Sequence, residues 1–376
     1  MESLGLYVHI PFCKRKCTYC DFVSYPGSEA KFDSYIDALI REARLYEEAL
    51  FSREVDTVFI GGGTPSMLSP TQFRRLAEGL KSCCNWKADE FTVEANPETV
   101  DGEKLAAFAQ CGVNRLSMGL QTHDNAVLQR IGRRHTWEDF LRAYEMASKL
   151  IPNINVDTIF ALPGQTLDGY LETLSRVISL NPKHVSSYAL KLEPGTPLEK
   201  SFSGEDEELD RAMYHAGIKT LETVGLMQYE TSNFAVPGYE CRHNLKYWMG
   251  EEYLGLGVAA YSCLSGEKPV RFGNTRGLDE YIWLVDSGEK PVSETETLSD
   301  KDAREEYVML RLRLKTGIRF DDYEARFGHN FRSDFENAIR VCQKAGLIEQ
   351  NTQGIIPTVK GFDLQNVLIG EFLEMT

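Results

Sequence analysis

Residues 13–22 read CKRKCTYCDF, which puts Cys13, Cys17 and Cys20 within eight positions of a chain that scatters the other six of its nine cysteines. They follow LYVHI (6–10), a run of β-formers closed by Pro11, so the thiols sit on a loop directly after a strand. Zinc prefers four ligands, usually as two pairs, and the next cysteines along, Cys83 and Cys84, are adjacent and make a poor bite. A thioredoxin-type pair needs only C-x-x-C and leaves Cys13 without a role. Three thiolates can hold three irons of a cubane and leave the fourth iron open to a ligand. The plain alternative, three thiols that merely pack, fits this density badly. Lys14, Arg15 and Lys16 either ease the negative charge of such a cluster or are solvated loop charges.

Working outward, the chain alternates β-rich runs with amphipathic stretches from Leu6 to about Pro194. The runs are LYVHI, VDTVFIGGG, FTVEANP, RLSMGLQ, NVDTIFALPG and VSSYALKLEPG. Between the first two, Phe32, Ile36, Leu39, Ala43, Tyr46 and Leu50 recur every three or four residues, the stripe of a helix packed on a sheet. Ser69-Pro70 reads as a helix start, serine at the N-cap and proline behind it. Tyr170, Leu174 and Val177 mark another helix, stopped by Asn181-Pro182. Repeated β–α units predict a parallel sheet with right-handed crossovers, here an α/β partial (β/α)6 barrel. Chemistry in such folds gathers at the C-terminal ends of the strands. The cysteines, Gly61 to Thr64, Glu94, Gln121 and Asp157 all close a strand or follow one.

Beyond Gly195 the pattern changes. SGEDEELDRAMYHAGIKTLETVGL (203–226) reads as a helix and MQYETSNFA as a strand. CRHNLKYWMGEEYLGLGVAAYS (241–262) reads as an irregular, aromatic pocket wall. The polar stretch SGEKPVSETETLSD suggests a boundary near residue 300. The remainder has the outline of a winged-helix module, helices followed by a turn between short strands (LIEQNTQGIIPT). The expected division is a core over 1–235, a smaller α+β extension over 236–300 and the winged-helix-like module over 301–376.

With 376 residues, two or three domains are expected. A net charge of −15 argues against broad binding to nucleic acid or anionic lipid. The cations Arg311, Arg313, Lys315 and Arg319 are flanked by Glu305, Glu306, Asp321, Asp322 and Glu324, so DNA binding is not expected of the C-terminal module, which either docks on a partner protein or on the barrel itself or is purely structural. No run approaches the ~20 apolar residues of a membrane span, and the start lacks the charge pattern of a signal peptide. An odd number of scattered cysteines suits a reducing compartment, so the cytoplasm is expected.

YVHIPFCKRKCTYCDF resembles the start of the radical S-adenosylmethionine (SAM) enzymes. More narrowly it resembles the family of oxygen-independent coproporphyrinogen III oxidase and its heme-chaperone relative. The resemblance runs on through GGGTP, the glutamate of VEANP, RLSMGLQ, VDTIFALPG and YALKLEPGT into HNLKYW and the C-terminal module. It implies a [4Fe-4S] cluster on Cys13, Cys17 and Cys20, whose open iron chelates SAM. It further implies Tyr7, Gly62, Gly63, Thr64, Glu94, Gln121, Arg133, Asp157 and Ala189 as SAM contacts, with Arg134 next to Arg133 as the rival for that position. Read by themselves, the glycines are either a turn or a close approach for a ligand, and Glu94 and Asp157 are either acceptors for a cationic ligand or helix caps.

Two departures separate the branches of the family. The oxidases carry a further cysteine two residues after the third and a sizeable extension before the first; here Phe22 holds that place, and twelve residues precede Cys13. Both departures match the heme-chaperone branch, as does His243-Asn244-Leu245-Lys246-Tyr247-Trp248. In that segment His243 is either an axial heme ligand beside stacking aromatics or a histidine that hydrogen-bonds the backbone of an irregular loop. The resemblance thus implies heme, a heme-acceptor protein and an electron donor as partners, and it is compatible with a homodimer. The alternatives are the oxidase itself and a radical SAM enzyme with another substrate.

Overall fold

A computed structural model of the chain describes residues 2–202, 206–265 and 269–373. Six strands, β1 (Ser3–Ile10), β2 (Glu54–Gly62), β3 (Trp86–Ala95), β4 (Arg115–Gln121), β5 (Asn153–Phe160) and β6 (His184–Ala189), lie side by side in sequence order, all parallel. All six coincide with the runs read from the sequence. Burial on both faces explains those runs: β4 is buried at every position. Tyr7 on β1 and Tyr188 on β6, at opposite ends of this series, line one cavity. The sheet is therefore curled into a partial barrel around a lumen.

The crossover helices follow their sequence signals. Phe32–Leu45 buries Phe32, Tyr35, Ile36, Leu39 and Ala43 on one face. The stripe expected to continue to Leu50 is broken at Tyr46, and Glu47–Ser52 forms a separate short helix. Ser69 accepts a hydrogen bond from the Gln72 amide and the Gln72 side chain accepts one in return, a capping box ahead of Pro70–Ser82.

Three segments differ from their expected form. MQYETSNFA makes two short antiparallel strands, β7 (Met227–Gln228) and β8 (Asn233–Ala235), and β8 pairs with β6. HNLKYW is regular: it lies on a helix, Arg242–Met249, ended by Gly250 in the left-handed region. The next strands, β9 (Tyr253–Leu256), β10 (Tyr261–Leu264), β11 (Val270–Asn274) and β12 (Val292–Thr297), continue the barrel sheet, β9 running parallel to β1. SGEKPVSETETLSD thus contains an edge strand, whose exposed Ser, Thr and Glu residues keep that edge from pairing further. The helix expected from residue 203 spans Glu207–Glu222; residues 203–205 lie outside the described residues.

The C-terminal part has its own apolar core, with Val308, Tyr323, Phe331, Ile339, Ile355 and Phe372 at its centre. Its small sheet joins β13 (Ile318–Arg319), β14 (Ile348–Gln350) and β15 (Gly354–Pro357) in antiparallel order β13-β15-β14, with helices against it. This is the winged-helix outline. It contacts the barrel through Lys315 N to Tyr229 O (3.0 Å), Thr231 to Gln365 (3.0 Å) and the Arg271–Glu306 ion pair (2.5 Å). Among the described residues no helix is long and apolar enough to cross a membrane.

Candidate iron–sulfur and SAM site

A cavity of about 360 Å³ opens at the C-terminal ends of the six strands. Cys13, Cys17 and Cys20 line it, and so do Gly62, Gly63, Thr64 and Glu94. Gln121, Arg133, Asp157 and Ala189 join them, so that of the expected set only Tyr7 lies outside this lining. Strand register brings these distant residues together: Glu94 lies opposite Ser117, Gly119 opposite Asp157 and Phe160 opposite Ala189. Arg133 faces the cavity while Arg134 is exposed.

The thiols are tied into the strand ends. Thr64 donates to Cys13 Sγ at 3.4 Å and accepts from Asn96 Nδ2 at 2.9 Å. Asn96 Oδ1 accepts from Arg133 Nη2 at 2.8 Å, and Arg133 Nη1 reaches Cys17 Sγ at 3.8 Å. One hydrogen-bonded chain therefore runs from the first thiol to the second across three β–α units. Arg133 also donates to Gly119 O. Its cation lies where thiolates would carry negative charge. Burial pushes the Cys20 thiol up to about 11 and raises Cys13 as well, so a bound metal must displace protons there.

The chain itself crowds two of the three glycines. Gly62 has φ +106°, and a Cβ there would meet the His9 ring at 2.4 Å; on Gly63 it would meet Ile10 O and Phe12 O at 2.8 Å. What approaches closely is the chain itself, where β2 meets the segment leading to Cys13. Glu94 Oε2 accepts from the Gly62 amide at 2.9 Å. Burial, and then the nearby Asp157 charge, raise Glu94 to about 8. Asp157 is held by Ser117 (3.0 Å) and Asn155 (2.7 Å), and burial raises it too.

Tyr7 stands apart from this cavity. Its hydroxyl contacts His9 Nδ1 at 2.9 Å, and its ring lines two neighbouring spaces, one of about 180 Å³ deeper in the lumen and one of about 330 Å³ beside it. His243 is farther still. The helix Arg242–Met249 carries it against the N-terminal halves of β2 and β3, where Glu90 accepts the amides of Arg242 (2.9 Å) and His243 (3.0 Å). The ring is fully buried, stacked on Phe59, with Nδ1 3.0 Å from the Thr57 hydroxyl and Nε2 2.8 Å from that of Tyr247. Burial lowers it to about 3. In this conformation both imidazole nitrogens are engaged by side-chain hydroxyls.

Some cavity residues escaped the sequence reading. Asn96 is the link between Thr64 and Arg133, and Ser117, Gly119 and Tyr188 share the wall. Strand alternation could have found two of them, because Ser117 and Gly119 fall on the same face of β4 as Gln121.

The donor set fits an iron–sulfur cluster with a bound cofactor. Among the described residues no three Cys, His, Asp or Glu side chains converge as a single metal ion requires, whereas a cubane takes one thiolate per iron. Gln121 Oε1 and Arg133 Nε are buried at the cavity without partners, and Gln121 holds φ 75°. Unpaired polar atoms and a strained strand end are what a site awaiting a polar ligand displays.

Comparison with known proteins agrees. The Radical SAM superfamily matches residues 7–177 and the HemN C-terminal domain matches residues 298–364. Heme chaperone HemW of Bacillus subtilis (strain 168) is 34% identical over 375 residues, covering 98% of each chain. That of Lactococcus lactis subsp. lactis (strain IL1403) is 36% identical over 376 residues, 98% of this chain and 96% of the relative. The structure of coproporphyrinogen III oxidase (HemN) from Escherichia coli, a radical SAM enzyme, matches 99% of this chain and 90% of its own with a TM-score of 0.86 at 25% identity. With a three-thiol loop at the mouth of a partial barrel and such similarity along its whole length, the chain belongs to the HemW family of radical SAM proteins.

Proposed function

We propose that the chain is a heme chaperone: it binds heme, keeps a SAM-ligated [4Fe-4S] cluster on Cys13, Cys17 and Cys20, and hands heme to an acceptor protein. The observation that carries this reading is Phe22. The position where the oxidases place a further cysteine is here a phenylalanine, 62% exposed, on the rim of the three-thiol cavity. When bound, the cluster supplies an open iron for the amino and carboxylate groups of SAM. Arg133 and Thr64 hold charge and hydrogen bonds against the thiolates, while Glu94 and Asp157 accept from the cationic side of the cofactor. Gln121 and Ala189 bound its walls, and Tyr7 steadies them from behind through His9. The module over 301–376 is assigned to docking, the extension over 236–300 to closing the β1 side. A cytoplasmic location, a separate electron donor and an optional homodimer belong to the same reading.

Likeness to HemN favours a second reading, oxygen-independent coproporphyrinogen III oxidase. One assay separates them. Cluster-reconstituted protein is incubated anaerobically with coproporphyrinogen III, SAM and a reductant, and protoporphyrinogen is followed. The expected result is no turnover from protein that still binds SAM, together with stoichiometric transfer of heme to an acceptor. Multiple turnovers would overturn the chaperone reading.

A further inference from the structure

Beside the three-thiol cavity lies a cleft of about 330 Å³, a size usual for small-molecule sites. Four distant stretches of chain build it: Tyr7 and His9 from β1, Phe22 and Val23 from the cysteine loop, Tyr253 and Tyr261 from β9 and β10, and Arg276 just after β11. Tyr247 closes its inner end, its ring edge-on to Tyr253 at 4.6 Å. The floor is rigid. His9 Nε2 donates to Val23 O at 3.0 Å, and its Nδ1 then accepts from the Tyr7 hydroxyl.

Two features call for an occupant. Phe22 is 62% and Tyr261 49% exposed at one mouth, two aromatic faces lining a single cleft on which a flat ring can stack. Arg276 is also exposed there, and among the described residues no carboxylate forms an ion pair with it. Its backbone is anchored, since the Tyr25 hydroxyl donates to Arg276 O. An unpaired guanidinium beside aromatic faces selects a flat conjugated ring that bears a carboxylate. The lumen beneath is smaller, about 180 Å³, and is lined by the polar groups of Arg115, Asn155 and Asp157.

We propose that this cleft is the heme site, with the macrocycle against Phe22 and Tyr261 and a propionate on Arg276. The proposal rests on the chaperone reading above. Phe22 also borders the three-thiol cavity, so heme seated there would share a wall with the cluster. Asp21 lines the cleft as well and sets the propionate toward the Arg276 side by repulsion.

The test is a hemin titration of full-length, cluster-reconstituted protein, read by the Soret band, with hemin dimethyl ester as the propionate-free control. Removing one charge-assisted partner is expected to weaken hemin about tenfold in Arg276→Ala, leaving the ester unchanged. Arg276→Lys should recover part of the loss, and Tyr261→Ala should weaken hemin and ester alike. Cluster content and SAM binding, measured on the same samples, stay at wild-type levels in both alanine variants. Wild-type affinity for hemin in Arg276→Ala, or an equal loss for the ester, overturns the site while leaving the chaperone reading in place. Absence of saturable hemin binding by the wild type overturns that reading and the site with it.

Discussion

At the C-terminal mouth of the barrel, Gln121 Oε1 and Arg133 Nε are buried without partners and three thiols are only partly covered. Toward the opposite end, His243 has the Thr57 hydroxyl on one ring nitrogen and the Tyr247 hydroxyl on the other, and Glu90 takes up the amides of its helix start. Both regions bring chemically capable residues to the strand lumen. They differ in what the named residues have left over: Gln121 and Arg133 each keep a buried atom without a partner, whereas both His243 ring nitrogens have one. A buried polar group without a partner is costly unless a ligand completes it, whereas a fully partnered one stabilises the fold and has nothing to offer a ligand. His243, read for chemistry, is in this conformation of the second kind.

The contrast is sharpest if the cysteines are removed. Cys17→Ser should abolish the [4Fe-4S] cluster, measured as iron and sulfide per chain and by the loss of charge-transfer absorbance, while the thermal midpoint of the apoprotein stays close to wild type. The half-buried thiol contributes little packing, so a collapse of the apoprotein would show that the loop is structural and break the comparison from the top.

From the other end, His243→Ala should reverse the pattern. It deletes a ring stacked on Phe59 and strands the Thr57 and Tyr247 hydroxyls. A loss of about 2–4 kcal/mol is expected, seen as a lower denaturant midpoint, with cluster content per folded chain unchanged. A variant of wild-type stability that had lost only heme would make His243 a ligand after all.

These two ends were unequally legible in the sequence. The six parallel strands announced themselves because burial on both faces demands β-branched and aromatic runs, and the helices because an apolar stripe must face the sheet. The cysteine seat was legible for a different reason: three thiols in one loop have few other uses. The helix Arg242–Met249 was not, and its buried residues explain why. They are His243 and Lys246, so its inward face is polar and leaves no apolar stripe to betray a helix. Lys246 is held there by Asp56 and Ser3, partners that no local pattern can supply. Asn96 was missed similarly, since in VEANP it looks like a turn residue before a proline. For Gly62 and Gly63 the sequence could not show the crowding by β1 and the residues just after it, some fifty positions earlier in the chain.

Glu94 gives the finest division between the two regions, because its carboxyl faces a space that a cation is expected to enter. The charged and titratable groups around it include Asp157, Arg115, Tyr7, Tyr188 and Tyr247. Burial, reinforced by the Asp157 charge, sets its pKa at about 8, so without ligand the carboxyl is largely protonated at pH 7. A cationic ligand favours the carboxylate. Binding at pH 7 must therefore expel a proton, and affinity must rise as pH rises toward and through about 8. With SAM as the probe and intact cluster, the dependence attributable to Glu94 should approach but not exceed about tenfold per pH unit below that value. Glu94→Gln should flatten this part of the profile and leave any dependence that belongs to the amino group of SAM itself. Titration calorimetry in two buffers of different ionisation enthalpy measures the proton count directly. If wild type and Glu94→Gln release the same number of protons between pH 6.5 and 8.5, Glu94 does not answer to the ligand. The mouth of the barrel would then resemble its opposite end, with carboxylates that serve only to hold the strands.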